Sequence, residues 1–296
     1  MISFSVITAT LDRKEMVLAA VESVRAQAYP DVEIIVADGG SRDGTVETLE
    51  ACADIRLLRG PDRGVYDAWN KAIAHAHGDV VVLLNSDDCL PDGTLMAVAD
   101  AFAAHPEVDA VCGCAELATL DGRSQIFDDE GERAMRRPET AFLGACVINA
   151  RFFRRSAMLG VGPFDLRYRF IADRDWLVRW FTRGLMTHTI DHLVYRYRQH
   201  PGSLTFDANR RHREAIYAEL LMLGRGWRRE EGADPAVRAA AMDLEGRCLG
   251  RMTAAAVRKG RISQAVRLMF GEDGIISSMP IRCINTAIRR RWISPL

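Results

Sequence analysis

Short apolar runs and stretches of helical periodicity alternate along the first 90 residues of the chain. The apolar runs have the length of strands, and they lie at residues 4–8, 32–37, 55–59 and 80–84. The stretches between them repeat apolar positions at helical spacing, over residues 12–27, 45–53 and 66–76. Asp12, followed three residues later by Glu15, resembles a capping box at the start of the first helix. Near-continuous apolar strands separated by helices predict a mostly parallel sheet that is flanked by helices.

Beyond residue 90 the pattern becomes less regular. It predicts a helix at 94–104, a strand at 108–112, a turn at Asp121 and Gly122, an irregular stretch at 128–138, a helix at 174–183 and a strand at 194–198. Residues 209–296 carry Ala, Leu, Met and Arg at helical spacing and show no strong strand pattern. We therefore predict an α/β domain over residues 1–205 and a helical C-terminal appendage over residues 206–296.

The composition is that of a soluble globular protein, with 27% charged and 48% hydrophobic residues in a chain of 296. The 39 Lys and Arg residues nearly balance the 40 Asp and Glu residues, so the chain lacks the overall basic field of a non-specific nucleic-acid binder. Seven cysteines without C-x-x-C spacing indicate free thiols rather than a zinc site. The N-terminal residues lack a basic region and a cleavage-like site, which favours a cytoplasmic protein.

Polar residues follow two of the predicted strands, where ligands bind in open α/β sheets. Asp38 opens a turn that contains Gly39, Gly40 and Gly44, and its carboxylate is suited to hold a base or a ribose. The turn matches neither of the glycine-rich phosphate-binding loops, which disfavours a Rossmann dehydrogenase and a P-loop ATPase. The alternative interpretation is an ordinary connection between a strand and a helix.

Asp87 and Asp88 come directly after the fourth strand, in the sequence Asn-Ser-Asp-Asp. Two adjacent carboxylates repel each other unless a cation lies beside them. Carboxylate oxygens suit Mg²⁺ or Mn²⁺, which usually add phosphate oxygens of the substrate as further ligands. A solvated pair that caps a helix is the alternative interpretation.

Asp173 and His200 are two further candidates. Asp173 lies at the start of a predicted helix, where the helix dipole favours a carboxylate whatever its function. It is also suited to act as a general base that removes the proton of an attacking hydroxyl. His200 lies in a turn beside basic residues, where it can complete a metal site or contact a diphosphate, although a lone His is more often structural.

Together these motifs resemble the inverting glycosyltransferases of family 2, which have the GT-A (nucleotide-diphospho-sugar transferase) fold. The resemblance extends in order along residues 3–205. The family's motifs are matched by residues 8–13 after the first strand, 23–30, 38–45 and 62–71. The last of these blocks, Asp-Arg-Gly-Val-Tyr-Asp-Ala-Trp-Asn-Lys, is similar to one found in transferases of bacterial polysaccharide assembly, such as those of colanic acid type.

The resemblance implies a role for each candidate residue. The nucleotide would be bound by Thr8, Asp38, Asn70, Lys71 and Asp87, with Asp38 at the base, Asp87 at the ribose and Lys71 adding positive charge. The metal, Mn²⁺ or Mg²⁺, would be held by Asp88, Asp87 and His200. Asp173 would be the catalytic base. Asn85 and Ala172 depart from the family pattern, because acidic residues are usual at both positions.

The sequence therefore predicts a hexosyltransferase-type, metal-dependent enzyme that inverts the sugar's anomeric centre. Its donor would be a nucleoside diphosphate sugar, expected to be UDP-linked, and its acceptor a hydroxyl of a glycan or of a lipid-linked glycan in polysaccharide biosynthesis of the cell envelope. Two alternatives are a nucleotidyltransferase and a non-catalytic subunit that binds sugar nucleotides or acts as a scaffold. The presence of Asp88 and Asp173 argues against the non-catalytic alternative.

The composition of the last part of the chain favours a peripheral membrane contact. Residues 275–296 combine isoleucines and Trp292 with four arginines and contain no acidic residue. Such a segment is suited to lie in a membrane interface, here at the inner face of the cell membrane. The alternative is a helix whose apolar side packs on the protein and whose arginines are solvated.

Overall fold

A computed structural model describes residues 1–145, 147–200, 202 and 212–270 of the protein. The chain divides into two compact units, Met1–Ala208 and Asn209–Leu296. The first is an α/β unit, and the second is helical over its described residues. The domain boundary predicted between residues 205 and 206 falls outside the described residues.

The described part of the first unit contains one mixed β-sheet. Its strands are β1 (Phe4–Thr10), β2 (Val32–Asp38), β3 (Ile55–Arg59), β4 (Val80–Leu83), β5 (Ala110–Ala118), β6 (Ser124–Phe127), β7 (Arg151–Arg154) and β8 (Thr187–Arg198). Their order is β3-β2-β1-β4-β7-β5-β6, and β8 pairs with β5 outside this path. Strands β1 to β4 are parallel, as predicted, and β8 is parallel to β5. By contrast, β7 runs antiparallel to both β4 and β5, and β6 runs antiparallel to β5.

Helices connect these strands and form the second unit. Those of the first unit are α1 (Lys14–Arg25), α2 (Thr45–Glu50), α3 (Val65–Ile73), α4 (Thr94–Ala104), α5 (Glu130–Ala134), α6 (Pro138–Leu143), α7 (Arg155–Val161) and α8 (Ala172–Thr182). Those of the second are α9 (Arg213–Arg229), α10 (Pro235–Arg258) and α11 (Ile262–Phe270). No helix among the described residues is both long and apolar enough to cross a membrane.

The core of the α/β unit fixes the parallel strands. All four residues of β4 are buried, and Val82 belongs to the same buried cluster as Val6 and Val36 of the neighbouring strands. Val17 of α1 and Leu95 of α4 belong to the cluster as well. Apolar burial of this kind stabilises by about 25 cal/mol for each Å² removed from water, so the strand ends that follow it are held on a rigid base.

The capping box predicted at Asp12 and Glu15 is wrong. Helix α1 begins at Lys14, and no side chain of its own first turn caps it. Asp12 has a positive φ of 50°, and its Oδ1 accepts the N–H of Arg42 at 2.7 Å instead. The Lys14 N–H donates to Oδ2 of Asp43, at 3.0 Å. The cap therefore comes from the loop after the neighbouring strand, which the local sequence of α1 does not indicate.

The second half of the unit differs most from the sequence prediction. Strands β5 and β8 are longer than the predicted 108–112 and 194–198, and β6 and β7 were not predicted. The stretch 128–138, predicted as irregular, contains α5 and the start of α6. The predicted hairpin turn is present, since Asp121 and Gly122 lie between the paired strands β5 and β6.

Candidate active site

The carboxyl ends of the parallel strands meet at one edge of the sheet. In the register of these strands, Thr10 of β1 lies beside Asp38 of β2, and Asp38 lies beside Arg59 of β3. Residues 84–88 follow β4, the neighbour of β1 on its other side. The topology therefore places the Asp38 loop and the Asp87–Asp88 loop at the same edge, where open α/β sheets bind their ligands.

Asp38 is buried, and its carboxylate organises the turn that follows it. Oδ1 accepts the N–H groups of Gly40 and Ser41 at 2.9 and 2.8 Å, and Oδ2 accepts the hydroxyl of Ser41 at 2.5 Å. Each carboxylate oxygen can accept two hydrogen bonds, so Oδ2 keeps acceptor capacity within this set of contacts. The local role of Asp38 is thus to fix the loop, and a ligand contact would be additional.

The two threonines of β1 occupy different positions relative to this edge. Thr8, predicted to bind the nucleotide, lies within the strand opposite Val36 and is only 1% exposed. Thr10 ends the strand beside Asp38, and its buried hydroxyl has no hydrogen-bond partner among the described residues. Buried hydroxyls are rarely left without a partner, so Thr10 is better placed than Thr8 to contact a ligand.

Asp88 is enclosed by the protein and is 3% exposed. Its Oδ1 accepts the N–H of Arg198 at 2.9 Å. Its Oδ2 accepts the side-chain amide of Asn85 and the hydroxyl of Tyr195, both at 2.8 Å. The Tyr195 hydroxyl in turn accepts the Asn85 N–H at 3.0 Å. Asn85, which departs from the motif of the resembled family, therefore donates a hydrogen bond to the Asp88 carboxylate.

The environment of Asp88 disfavours its charge. Burial, and secondly the neighbouring charge of Asp87, raise the pKa of Asp88 to about 6, despite the three hydrogen-bond donors that oppose the shift. Desolvation and a like charge both favour the protonated form of a carboxyl group. Asp88 is therefore directed into the protein, where it fixes the loop, and its oxygens are engaged by donors of β8 and of Asn85.

Asp87 is the more accessible carboxylate of the pair, with 15% of its side chain exposed. Its Oδ2 lies 2.9 Å from Nη1 of Arg13 and 2.7 Å from Nε2 of His200. Arg13 precedes α1 and also donates to the carbonyl oxygen of Gly202 at 3.3 Å. Three segments that are distant in sequence thus converge on one carboxylate oxygen.

The contacts of His200 define its tautomer. The N–H of Gly202 donates to Nδ1 at 3.1 Å, so Nδ1 is an acceptor and carries no proton. The proton of the neutral ring is then on Nε2, from which it is donated to Asp87. Nε2 is therefore the ring nitrogen that lies against the carboxylate, and binding a cation through it requires the ring proton to move to Nδ1, which then no longer accepts the Gly202 N–H.

Asp173 lies in the first turn of α8 and contacts α3. Its Oδ1 is 3.0 Å from the hydroxyl of Tyr66 and accepts the N–H of Arg174 at 2.9 Å. The Tyr66 hydroxyl is also 3.2 Å from the carbonyl oxygen of Phe170. Tyr66 is buried and packs edge-on against Trp69. The tyrosine thus holds one oxygen of Asp173 in a defined position.

Asn70 and Lys71 of α3 contact the protein backbone. Asn70 donates from Nδ2 to the carbonyl oxygen of Phe164 at 2.9 Å and accepts the Phe164 N–H on Oδ1 at 2.8 Å. Lys71 donates to the carbonyl oxygen of Pro61 at 2.8 Å and pairs with Asp67 at 3.1 Å. The Asn70 contacts fasten α3 to the segment before α8, and those of Lys71 fasten it to the loop after β3.

Sequence reasoning missed five residues of this site: Thr10, Arg13, Tyr66, Tyr195 and Arg198. Thr10 and Arg13 lie in the motif at 8–13 and Tyr66 lies in the motif at 62–71, so the sequence could have indicated these three. Tyr195 and Arg198 were not indicated, because their contacts with Asp88 depend on chain segments that only the fold brings together.

The donor atoms around Asp87 fit a divalent cation that has only a few protein ligands. Among the described residues, no group of three or more His, Cys, Asp or Glu side chains forms a ready-made metal cluster. Asp87 and His200 offer one oxygen and one nitrogen, both of which Mn²⁺ accepts. Mg²⁺ and Mn²⁺ sites of phosphate-transferring enzymes commonly have one or two protein carboxylates, and substrate oxygens supply the remainder.

Known structures of similar fold include TarS and a mannosyltransferase. Residues 1–349 of Staphylococcus aureus TarS, in complex with UDP, match with a TM-score of 0.61 at 17% identity, over 85% of this chain and 72% of that one. A mannosyltransferase from Pyrobaculum calidifontis, in complex with GDP-Man and Mn²⁺, matches with a TM-score of 0.59 at 19% identity, over 98% and 87% of the two chains. These likenesses establish the GT-A type of fold.

Sequence relatives establish the family. A PGL/p-HBAD biosynthesis glycosyltransferase of Mycobacterium bovis BCG is 32% identical over 197 residues, which are 64% of this chain and 74% of the relative. An uncharacterized glycosyltransferase of Mycobacterium tuberculosis H37Rv is 33% identical over 184 residues, 59% and 67% of the two chains. The model of the family Glycosyl transferase family 2 matches residues 5–158. The protein is therefore a glycosyltransferase and a member of glycosyl transferase family 2.

Proposed function

We propose that the protein transfers a sugar from a UDP-linked donor to a hydroxyl of a glycan or lipid-linked acceptor, in a metal-dependent reaction that inverts the anomeric centre. The observation that carries the proposal is the contact between Asp87 and His200, 113 residues apart in sequence, whose side chains meet at 2.7 Å. An oxygen and a nitrogen ligand thus lie together at the sheet edge where nucleotides bind.

We assign the donor side of the site to Asp38, Thr10, Asp87 and His200. Asp38 and the backbone of its turn are suited to the base, and Asp87 is near enough to the same edge to serve the ribose or the metal. A bound Mn²⁺ or Mg²⁺ would supply positive charge to the diphosphate as negative charge grows on it during bond cleavage. Arg13 already presents a guanidinium beside Asp87, and it adds a second cation to this region.

The described contacts lead us to revise four of the sequence-based assignments. Asp88 becomes a positioning residue, because both of its oxygens accept donors of the protein. Asn70 and Lys71 likewise position α3 through backbone contacts, and Thr8 is replaced by Thr10. The metal ligands in the proposal are therefore Asp87 and His200.

We assign the role of general base to Asp173. The Tyr66 hydroxyl and the Arg174 N–H both donate to Oδ1, and these contacts fix the position of the carboxylate. A carboxylate so held can take the proton of the acceptor hydroxyl as that oxygen attacks the sugar carbon. Attack from the face opposite the leaving diphosphate inverts the anomeric centre in a single displacement.

Complexes of two proteins of similar fold support the choice of donor class. TarS has been crystallised with UDP and with UDP-GlcNAc, and the mannosyltransferase of Pyrobaculum calidifontis with GDP-Man and Mn²⁺. Both ligand sets are nucleoside diphosphates or their sugars. We propose UDP as the nucleotide of the donor, and binding measurements with different nucleotides test the identity of the nucleobase.

A thermal-shift panel tests the proposal, with UDP, GDP, CDP and dTDP each measured in Mn²⁺, Mg²⁺ or EDTA. A ligand that binds only the native state at a hundredfold excess over Kd stabilises it by about 2.7 kcal/mol, which is easily measured. We expect a shift with UDP that requires the metal. A shift of equal size in EDTA would contradict the metal dependence, and a shift confined to another nucleotide would contradict the donor base.

The acceptor side of the proposal includes a membrane contact. We propose that residues 275–296, which lie outside the described residues, bind the surface of the membrane that carries a lipid-linked acceptor. Their arginines and apolar residues are suited to anionic lipid interfaces. Liposome flotation of the full chain and of a chain ending at residue 274 tests this, and equal flotation of the two would contradict it.

A further inference from the structure

The helical unit contains a cavity of about 470 Å³ that the proposed reaction does not use. Residues of α9, α10, the turn after α10 and α11 line it, and all of them lie between residues 213 and 264. None belongs to the candidate active site. The volume is within the usual range for small-molecule sites, which is about 300–1,000 Å³.

Cationic side chains dominate the lining of this cavity. They are Arg213, Arg251, Arg258, Lys259 and Arg261. The acidic side chain among the described lining residues is Glu214, which forms an ion pair with Lys259. Arg258 and Arg261 form no ion pair with any described residue. The cavity therefore carries a positive charge that the described part of the chain does not neutralise.

Tyr217 holds two of these arginines in place. Its hydroxyl oxygen accepts Nε of Arg213 and Nη1 of Arg251, each at 3.1 Å. The two guanidinium carbons also lie 5.5 and 5.7 Å from the centre of the tyrosine ring. Contacts with both the hydroxyl and the ring restrict the two side chains, so less conformational entropy remains to be lost when a ligand binds.

The described residues of the cavity present more hydrogen-bond donors than acceptors. The two arginines use both lone pairs of the Tyr217 oxygen, and the phenolic proton has no acceptor among the described residues. Burial alone would raise the pKa of Tyr217, but the hydrogen bonds from Arg213 and Arg251 outweigh it and lower the pKa. The surroundings thus favour negative charge at this place.

We propose that the cavity is a binding site for a phosphate-bearing ligand, which Arg213, Arg251 and the Tyr217 hydroxyl hold by charge-assisted hydrogen bonds. A phosphate group offers three or more acceptor oxygens, which matches a set of fork-shaped guanidinium donors and one hydroxyl. Chloride lacks this geometry, and a carboxylate offers only two oxygens. The ligand is a soluble phosphate ester or diphosphate, or the phosphate of a lipid headgroup, since both present the same group.

Calorimetric titration of the full chain with inorganic diphosphate at low ionic strength tests the site. We expect Arg251→Gln to weaken binding at least tenfold, because it removes a charged hydrogen-bond donor from the ligand. Tyr217→Phe keeps the aromatic ring and removes the hydroxyl, and we expect a loss of several-fold. Arg247→Gln is the matched control, since it lies on α10, pairs with Asp243 and does not line the cavity.

The variants separate this site from the donor site. Diphosphate bound at Asp87 would be insensitive to Arg251→Gln, so equal binding by Arg251→Gln and Arg247→Gln would overturn the proposal. The absence of measurable binding by the wild-type chain would overturn it as well. The UDP shift with Mn²⁺ is measured on every variant, and its retention shows that the α/β unit is intact.

A vesicle experiment identifies the source of the phosphate. Full-length protein is mixed with phosphatidylcholine vesicles that either contain or lack phosphatidic acid. The ligand is a lipid headgroup if binding to the vesicles requires phosphatidic acid, is competed by diphosphate and is lost in Arg251→Gln. Diphosphate binding in the calorimeter without such vesicle binding assigns it to a soluble phosphate compound.

Discussion

The hydroxyl of Tyr66 lies 3.0 Å from Oδ1 of Asp173, although 107 residues separate the two in the sequence. Tyr66 belongs to α3, which connects the parallel strands β3 and β4, and Asp173 belongs to α8, which follows the antiparallel strand β7. The reciprocal contacts of Asn70 with the backbone of Phe164 fasten the same two regions. The proposed base is thus positioned by the helix that carries the block at 62–71.

We expect Asp173→Asn to abolish sugar transfer and to leave the UDP shift with Mn²⁺ largely intact. The amide keeps the shape of the side chain but cannot take the proton of the acceptor's hydroxyl at neutral pH. Loss of a general base typically reduces the rate 10²–10⁴-fold. Initial rates and thermal shifts on the same preparation check this, and near-normal turnover would show that Asp173 is not the base.

Tyr66→Phe should reduce turnover less than Asp173→Asn does. The substitution keeps the ring that packs on Trp69 and removes a hydroxyl that holds one oxygen of Asp173 in position. We expect a lower kcat with KM for the donor unchanged. An unchanged kcat would indicate that the hydroxyl serves packing alone.

Asp87→Asn should remove the metal-dependent shift with UDP. The asparagine oxygen can still accept from Arg13 or His200, so the loop keeps a partner, while the charge that attracts a cation is gone. Asp92→Asn, the same chemical change at an exposed position of the following loop, is the control. A preserved shift in Asp87→Asn would exclude Asp87 as a metal ligand.

Asn70→Ala should lower stability by about 2–3 kcal/mol, because it leaves the N–H and the carbonyl of Phe164 without their side-chain partner. Urea unfolding measures this, with the UDP shift recorded alongside. If Asn70 instead contacts the nucleotide, as the family resemblance implies, the substitution will weaken UDP binding while the free energy of unfolding stays the same.

Glu33 should stabilise the fold only when it is ionised. Burial alone would raise its pKa, but the hydroxyl of Ser5 and the N–H groups of His77 and Gly78 donate to the carboxylate and hold the pKa below its ordinary value of 4.5. A lowered folded-state pKa contributes stability above the unfolded pKa, and this contribution is lost as the pH falls through the folded pKa. The free energy of unfolding of Glu33→Gln should therefore be lower than that of the wild type at pH 7, with the difference disappearing in acid.

Unfolding curves between pH 3 and 7 measure the Glu33 effect. Glu47→Gln, an exposed position of α2, controls for the loss of one negative charge. A difference between wild type and Glu33→Gln that is independent of pH would contradict an electrostatic origin.

The parallel half of the fold could be predicted from the sequence, because buried parallel strands are apolar at nearly every position and are therefore easily recognised. Strand β7 could not, since its sequence Arg-Phe-Phe-Arg has charged ends. Arg151 is nevertheless buried, and its guanidinium donates to the carbonyl oxygens of Glu132 and Arg133. Long-range contacts of this kind decide the burial of an arginine, and the local sequence does not reveal them.

The site shows the same division. The positions of Asp38, Asp87 and Asp88 follow from the strands that precede them, and these strands are where the sequence placed them. The orientation of the Asp87 and Asp88 carboxylates depends on their contacts with Arg13, Tyr195 and Arg198. The positions of these three residues are determined by β8 and by the start of α1. Consequently Asp87, rather than Asp88, is the accessible carboxylate of the pair.

Asp43 receives the N–H of Lys14 on one oxygen and the N–H and hydroxyl of Thr45 on the other. One carboxylate therefore caps the N-terminal ends of two helices, α1 and α2, which begin 31 residues apart in the chain. The two helix ends share a single counter-charge, so removal of this one side chain would leave the first turns of both helices without that acceptor. The loops that precede α1 and α2 are thus joined through Asp43, and a substitution there would weaken the starts of both helices.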